Sequence, residues 1–114
     1  MKELTQQHCR PITDKVSRLN DQEIGQLIVE QPGWKIYEKE GELRLEKSFQ
    51  FGNFDQAMAF TNQVARVAVE EDHHPALLTE WGKVTATWWT HKIKGLHQND
   101  FIMAAKTEQL YAPL

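Results

Sequence analysis

The stretch LRLEKSFQFGNFDQAMAFTNQVARVA, residues 43–68, changes its hydrophobic period midway, and that change decides the fold. Leu43, Leu45, Phe49 and Phe51 alternate with Arg44, Glu46, Ser48 and Gln50, breaking phase only at Lys47. This is the period of a half-buried strand. Gly52 and Asn53 interrupt it, and Asn53 is placed to cap the next element. Phe54, Ala57/Met58, Thr61, Val64/Ala65 and Ala68 then recur at three and four residues, which predicts an amphipathic helix to about Glu71.

Toward the N-terminus, Trp34, Lys35, Ile36 and Tyr37 form a second strand-like run. The polar Lys39, Glu40, Gly41 and Glu42 separate it from the first, so the pair reads as a β-hairpin. Before it, Asn20 with Glu23 fits a capping box, and Ile24, Leu27 and Ile28 mark a helical face that Pro32 and Gly33 end. Toward the C-terminus, Leu77 and Leu78 suggest a short strand. Residues 84–89 form a β-rich one, with Val84, Ala86 and Trp88 on one face. Gly95 breaks the pattern, and a last helix is expected over 98–110, with Phe101, Ile102 and Ala105 inward. The order α-β-β-α-β-β-α predicts an α+β sandwich, a four-stranded antiparallel sheet with its helices on one face.

The 114 residues suit one core: residues 1–17 read as a loosely ordered lead-in and 18–114 as a single domain. With 13 basic against 16 acidic residues the net charge is −3, which does not favour nucleic acid as a partner. Cys9 is the one cysteine, excluding an intrachain disulfide and a Cys-based zinc framework. No signal-peptide core and no membrane-length apolar run is present, so the expected place is the cytoplasm, away from membranes.

Chemistry concentrates in the histidines. His73 and His74 come after the central helix and His91 after the residue 84–89 strand, so loops at one end of the sheet bring all three toward a common cleft. Histidine exchanges protons near neutrality, which suits acid–base work. Asp72 and Asp100 are candidate orienters, Asp100 being favoured in the first turn of a helix. Two solvated loop histidines are the plain alternative, and the residues alone leave it open. Adjacent histidines on extended backbone point to opposite sides and chelate one ion poorly, so no metal is expected. There is no phosphate-binding or nucleophile-elbow motif. Cys9 beside His8 sits in a tail with no preorganised site, and residues 70–72 read as the polar end of a helix. Trp88 and Trp89 face opposite ways, one for the core and one for an interface or pocket wall.

Asp72-His73-His74-Pro75, with Trp81, His91 and Asp100 further along, resembles the pattern of the pterin-4a-carbinolamine dehydratase family, most closely its bacterial branch, and the likeness runs from about Leu19 to Leu110. The resemblance implies dehydration of a 4a-hydroxy-tetrahydropterin to quinonoid dihydropterin and water, recycling the pterin of an aromatic amino-acid hydroxylase. It implies proton transfer by His73 and His91, with His74 mainly binding the pterin. Asp72, Pro75, Trp89, Thr90 and Asp100 would shape the substrate site: Pro75 fixes the loop, Asp72 orients a histidine and Thr90 lines the pocket. It implies no metal or organic cofactor and a homodimer or homotetramer. Two departures stand out, Val69 where the family favours a polar residue and Ala76, Leu77 and Leu78 where some relatives carry an aromatic one. The competing expectation is a catalytically silent interaction or assembly protein on the same fold.

Overall fold

The computed structural model describes residues 3–13 and 15–111. Its elements are α1 (Asp21–Ile28), β1 (Lys35–Lys39), β2 (Glu42–Gln50), α2 (Phe54–Glu71), β3 (Ala76–Glu80), β4 (Lys83–Trp88) and α3 (Gln98–Tyr111), with short 3-10 turns at Leu4–Gln6 and His91–Ile93. This is the expected α+β order. The four strands pair antiparallel in the order β1-β2-β4-β3, so α2 carries the chain from β2 past β4 to the far edge.

Local chemistry accounts for the boundaries. Asn20 accepts from the Glu23 N–H at 2.8 Å while the Glu23 carboxylate accepts from the Asn20 N–H at 2.9 Å, closing the capping box of α1. Asn53 caps α2 through the Gln56 N–H at 2.8 Å. Glu40 and Gly41 both take positive φ, 55° and 80°, which a two-residue hairpin between right-twisted strands demands.

The core lies between sheet and helices. Leu45, Phe49, Val84, Ala86 and Trp88 from the sheet meet Ala57, Phe60, Val64 and Ala68 of α2 and residues 101–105 of α3. Phe60 is fully buried and packs against Phe49 and Phe51 at 5.0 and 5.1 Å, whereas Phe54, expected inward, is 45% exposed. Ala57, Val64 and Ala68 of the expected stripe are buried as read, and Phe60 takes the inward place expected of Phe54. Lys47 does not break the strand's phase. It stays on the helix side of β2, where its ammonium pairs with Glu108 of α3, which also accepts from Trp34 Nε1 at 3.1 Å.

The first half of α3 is buried all round because a second layer covers its outer side. The N-terminal segment supplies that cover: Leu4 is buried, Lys106 donates to the Thr5 carbonyl at 3.0 Å, and Gln98 donates to Gln7 at 2.6 Å. No helix of the described residues is long and apolar enough to cross a membrane.

Candidate active site

Strand register brings the candidate residues together. Ala76 pairs with Thr87 and Leu45 with Trp88, so the start of β3, the end of β4 and the start of β2 share one end of the sheet. Residues 73–75, 89–91 and 42–44 therefore converge there. Asp72 closes α2 in the left-handed conformation, φ 52°, and the His73 N–H returns to the Ala68 carbonyl at 3.1 Å. That reversal turns His73 inward, while His74 stays exposed and Pro75 leads into β3.

Asp100, 0% exposed in the first turn of α3, is the centre of the inner half of the site. Its Oδ1 accepts from His73 Nε2 at 2.6 Å, and its Oδ2 accepts from the Thr90 hydroxyl at 2.7 Å and the His97 N–H at 2.9 Å. Three donors and a helix N-terminus make a buried carboxylate tolerable. An ionised carboxylate only accepts, so His73 carries its proton on Nε2 and keeps Nδ1 as the accepting nitrogen. The imidazole, 7% exposed, lies parallel to the Trp88 ring at 5.9 Å and 8°. Proton, tilt and position of His73 are all held.

The sequence pattern singles out Asp100 but not the residues that support it. His97 accepts from the Asn99 N–H at 3.0 Å through Nδ1. Burial pushes its pKa below the ordinary 6.5, with the Asp100 charge opposing and His73 adding to the shift. Asn99, 2% exposed, pairs with the Arg10 backbone in both directions, at 2.9 Å to its Oδ1 and 2.8 Å from its Nδ2. Glu71, at the end of α2, accepts from the Cys9 N–H and faces His8 Nδ1, both at 2.8 Å. Residues 8–10 are therefore a strap joining the two segments that carry His73 and Asp100. Between strap and helix lies a cavity of about 270 Å³, lined by Cys9, Arg10, Pro11, Ile12, Glu71 and Asp72. Burial pushes the Cys9 thiol up to about 12, with Glu71 and Asp100 adding to it, so the thiol stays protonated.

His91 occupies the other half. It is exposed, begins the 3-10 turn after β4, and places Nδ1 3.3 Å from Glu42 Oε1. Glu42 also faces Arg44 Nη2 at 3.6 Å, and the Arg44 guanidinium lies 4.0 Å over the Trp89 ring. Trp88 is fully buried in the core, and Trp89, just past the end of β4, is half-buried at its margin. Thr90 is 3% exposed and its hydroxyl is committed to Asp100, and its backbone bridges to Gly95. Among the described residues no hydrogen bond joins Asp72 to an imidazole; Asp100 and Glu42 face the histidines instead. Trp81 stands 71% exposed in the β3–β4 turn. Glu42 and Asn99 carry no local motif, and only pairing and burial reveal them. No group of three or more potential ligands among the described residues is placed to hold a metal ion.

A family model described as pterin 4 alpha carbinolamine dehydratase matches residues 17–110. A Microcystis aeruginosa protein named "Putative pterin-4-alpha-carbinolamine dehydratase" is 54% identical over 111 residues, covering 97% of this chain and 96% of that one. The crystal structure of a transcriptional coactivator/pterin dehydratase from Brucella melitensis superposes with a TM-score of 0.76 at 28% identity, covering 83% of this chain and 99% of that one. A pterin dehydratase-like protein identified as a RuBisCO assembly factor in the alpha-carboxysome shares the fold, with a TM-score of 0.59 at 24% identity over 69% and 89% of the two chains.

Proposed function

We propose that this chain, which belongs to the pterin 4 alpha carbinolamine dehydratase family, is a working dehydratase that converts 4a-hydroxy-tetrahydropterin to quinonoid dihydropterin and water. The observation that carries the reading is the His73–Asp100–Thr90 arrangement, a buried imidazole with one nitrogen held by a carboxylate and the other left to accept a proton. A solvated loop histidine needs none of that support.

The reaction breaks the C4a–O bond, removes the N5 proton and forms the C4a=N5 double bond. His73 Nδ1 takes the N5 proton, and Asp100 stabilises the imidazolium that results. His91 protonates the departing hydroxyl, which leaves as water. Exchange with solvent then resets both rings. His74, exposed beside them, binds the pterin, and Asp72, Pro75 and Trp89 border the substrate. Thr90 and Asp100 serve by holding His73. The protein works in the cytoplasm beside an aromatic amino-acid hydroxylase, as a homodimer or homotetramer that covers the free edges of β1 and β3.

The test tracks carbinolamine decay while a phenylalanine hydroxylase generates it, comparing wild type with His73→Ala and His91→Ala, each checked for folding by circular dichroism. Wild type should accelerate the decay and each variant should lose most of that acceleration. A wild type equal to the protein-free control overturns the reading. The alternative, a silent interaction or assembly protein, draws on the names of the two solved relatives. It requires partner binding that survives loss of all three histidines.

A further inference from the structure

We infer that Glu42 is a positioning residue for His91, held in place by Arg44 lying on Trp89, so that Nε2 is the nitrogen through which His91 exchanges its proton. The inference rests on the dehydratase reading and deepens it.

His91 is bound on one side only. Its ring is 84% exposed, and the one acidic group facing it among the described residues is Glu42, 3.3 Å from Nδ1. A carboxylate at that nitrogen accepts the Nδ1–H and disfavours the Nε2–H tautomer, which ordinarily predominates for a free imidazole. Glu42 cannot wander, because only 9% of its side chain is exposed and its second oxygen faces Arg44. Arg44 is 12% exposed and lies over the ring of Trp89, whose backbone is two residues before His91. The chain of contacts runs from one strand to the next and back to the histidine's own loop.

Two further atoms belong to the same network. Arg44 Nε and Trp89 Nε1 are both buried donors without a hydrogen-bond partner among the described residues. Such groups cost stability, and native proteins keep few of them. Both sit at the Arg44–Trp89 contact, beside the Glu42 carboxylate. What the stack supports is the Glu42 carboxylate, and through it the orientation of His91. His73 and His91 would then each be set by a carboxylate, Asp100 for the one and Glu42 for the other.

The experiment is a long-range proton–nitrogen NMR spectrum of histidine-labelled protein, recorded well above the ordinary histidine pKa of about 6.5 so that neutral tautomers are compared. Wild type should show His91 protonated at Nδ1. Glu42→Ala should return it to the Nε2–H form, with kcat falling roughly tenfold to a hundredfold and KM changing less than about twofold, within the range of general acid–base contributions. Glu42→Gln, which keeps an acceptor oxygen, should recover much of the Nδ1–H form. Arg44→Gln serves if Glu42→Ala fails to fold, and should shift the tautomer in the same direction. An Nε2–H tautomer in wild type, or one that neither variant changes, overturns the inference. If wild type shows the Nδ1–H form but no dehydration, the dehydratase reading falls and the positioning of His91 stands.

Discussion

Replacing Asp100 by asparagine changes one atom and should both destabilise the fold and disable His73. The Oδ2 position receives the His97 N–H at 2.9 Å, a backbone donor that cannot reverse its role, together with the Thr90 hydroxyl at 2.7 Å. The asparagine oxygen must therefore take that position, leaving its NH₂ facing His73 Nε2, at present 2.6 Å from Oδ1. Two donors would then meet, and the imidazole answers by moving its proton to Nδ1. Hydrogen bonds to a charged group contribute about 1.5–3 kcal/mol and neutral ones about 0.5–1.5, so three bonds weakened by about 1 kcal/mol each set a ceiling near ~3 kcal/mol. Relief of the buried charge offsets part of this, for a net loss of about 1–3 kcal/mol. Urea denaturation at neutral pH reads it as a lower midpoint with unchanged slope. In the dehydration assay the folded variant should lose roughly 10²–10⁴-fold, the contribution of a positioned acid or base. Full activity and an unchanged midpoint would refute the claim that the buried carboxylate sets the proton on His73.

Glu71→Gln tests the N-terminal strap. Burial alone would raise the Glu71 pKa, but the Cys9 N–H, His8 and Lys106 hold it below the ordinary 4.5. The carboxylate's contribution is therefore present above pH 4.5 and lost as pH falls through the lowered folded value. Urea midpoints should show the variant weaker by about 1 kcal/mol at pH 7 and equal to wild type in strong acid. Cys9 should resist iodoacetamide at pH 8 in the folded protein and react after unfolding, because burial keeps the thiol protonated; equally fast alkylation in both states would contradict the packing of the strap. Phe60→Ala should cost about 3–5 kcal/mol in thermal or urea unfolding, against under about 1 kcal/mol for the 45%-exposed Phe54→Ala. The reverse order would place the core stripe of α2 on the other face.

Element order was legible because each element advertises itself locally. The capping box at Asn20, the period change near Gly52 and the His74-Pro75 break need only a few neighbouring residues. The histidines and Asp100 stood out from residue type and element order, and the resemblance added the reaction and their separate roles. Local pattern failed where a neighbour from elsewhere in the chain changed a residue's surroundings. Lys47 read as a break in phase until α3 supplied Glu108, and the first half of α3 read as one-faced until residues 3–10 covered its outer side. Phe54 and Phe60 are both apolar and both fit a helical period, so the angle at which α2 meets the sheet decided which was buried.

By itself the sequence determined which residues are able to carry a proton and which segments are helix or strand, since side-chain chemistry and backbone preference are properties of short stretches. Only the tertiary structure decided what each histidine can do. Asp100, 27 residues on and itself fully buried, is brought within 2.6 Å of His73 Nε2 and so fixes which ring nitrogen faces the carboxylate. His91 stayed open to solvent with Glu42, nearly half the chain away, beside it. An imidazole's working nitrogen is set by the group opposite its other nitrogen, and strand register is what places that group.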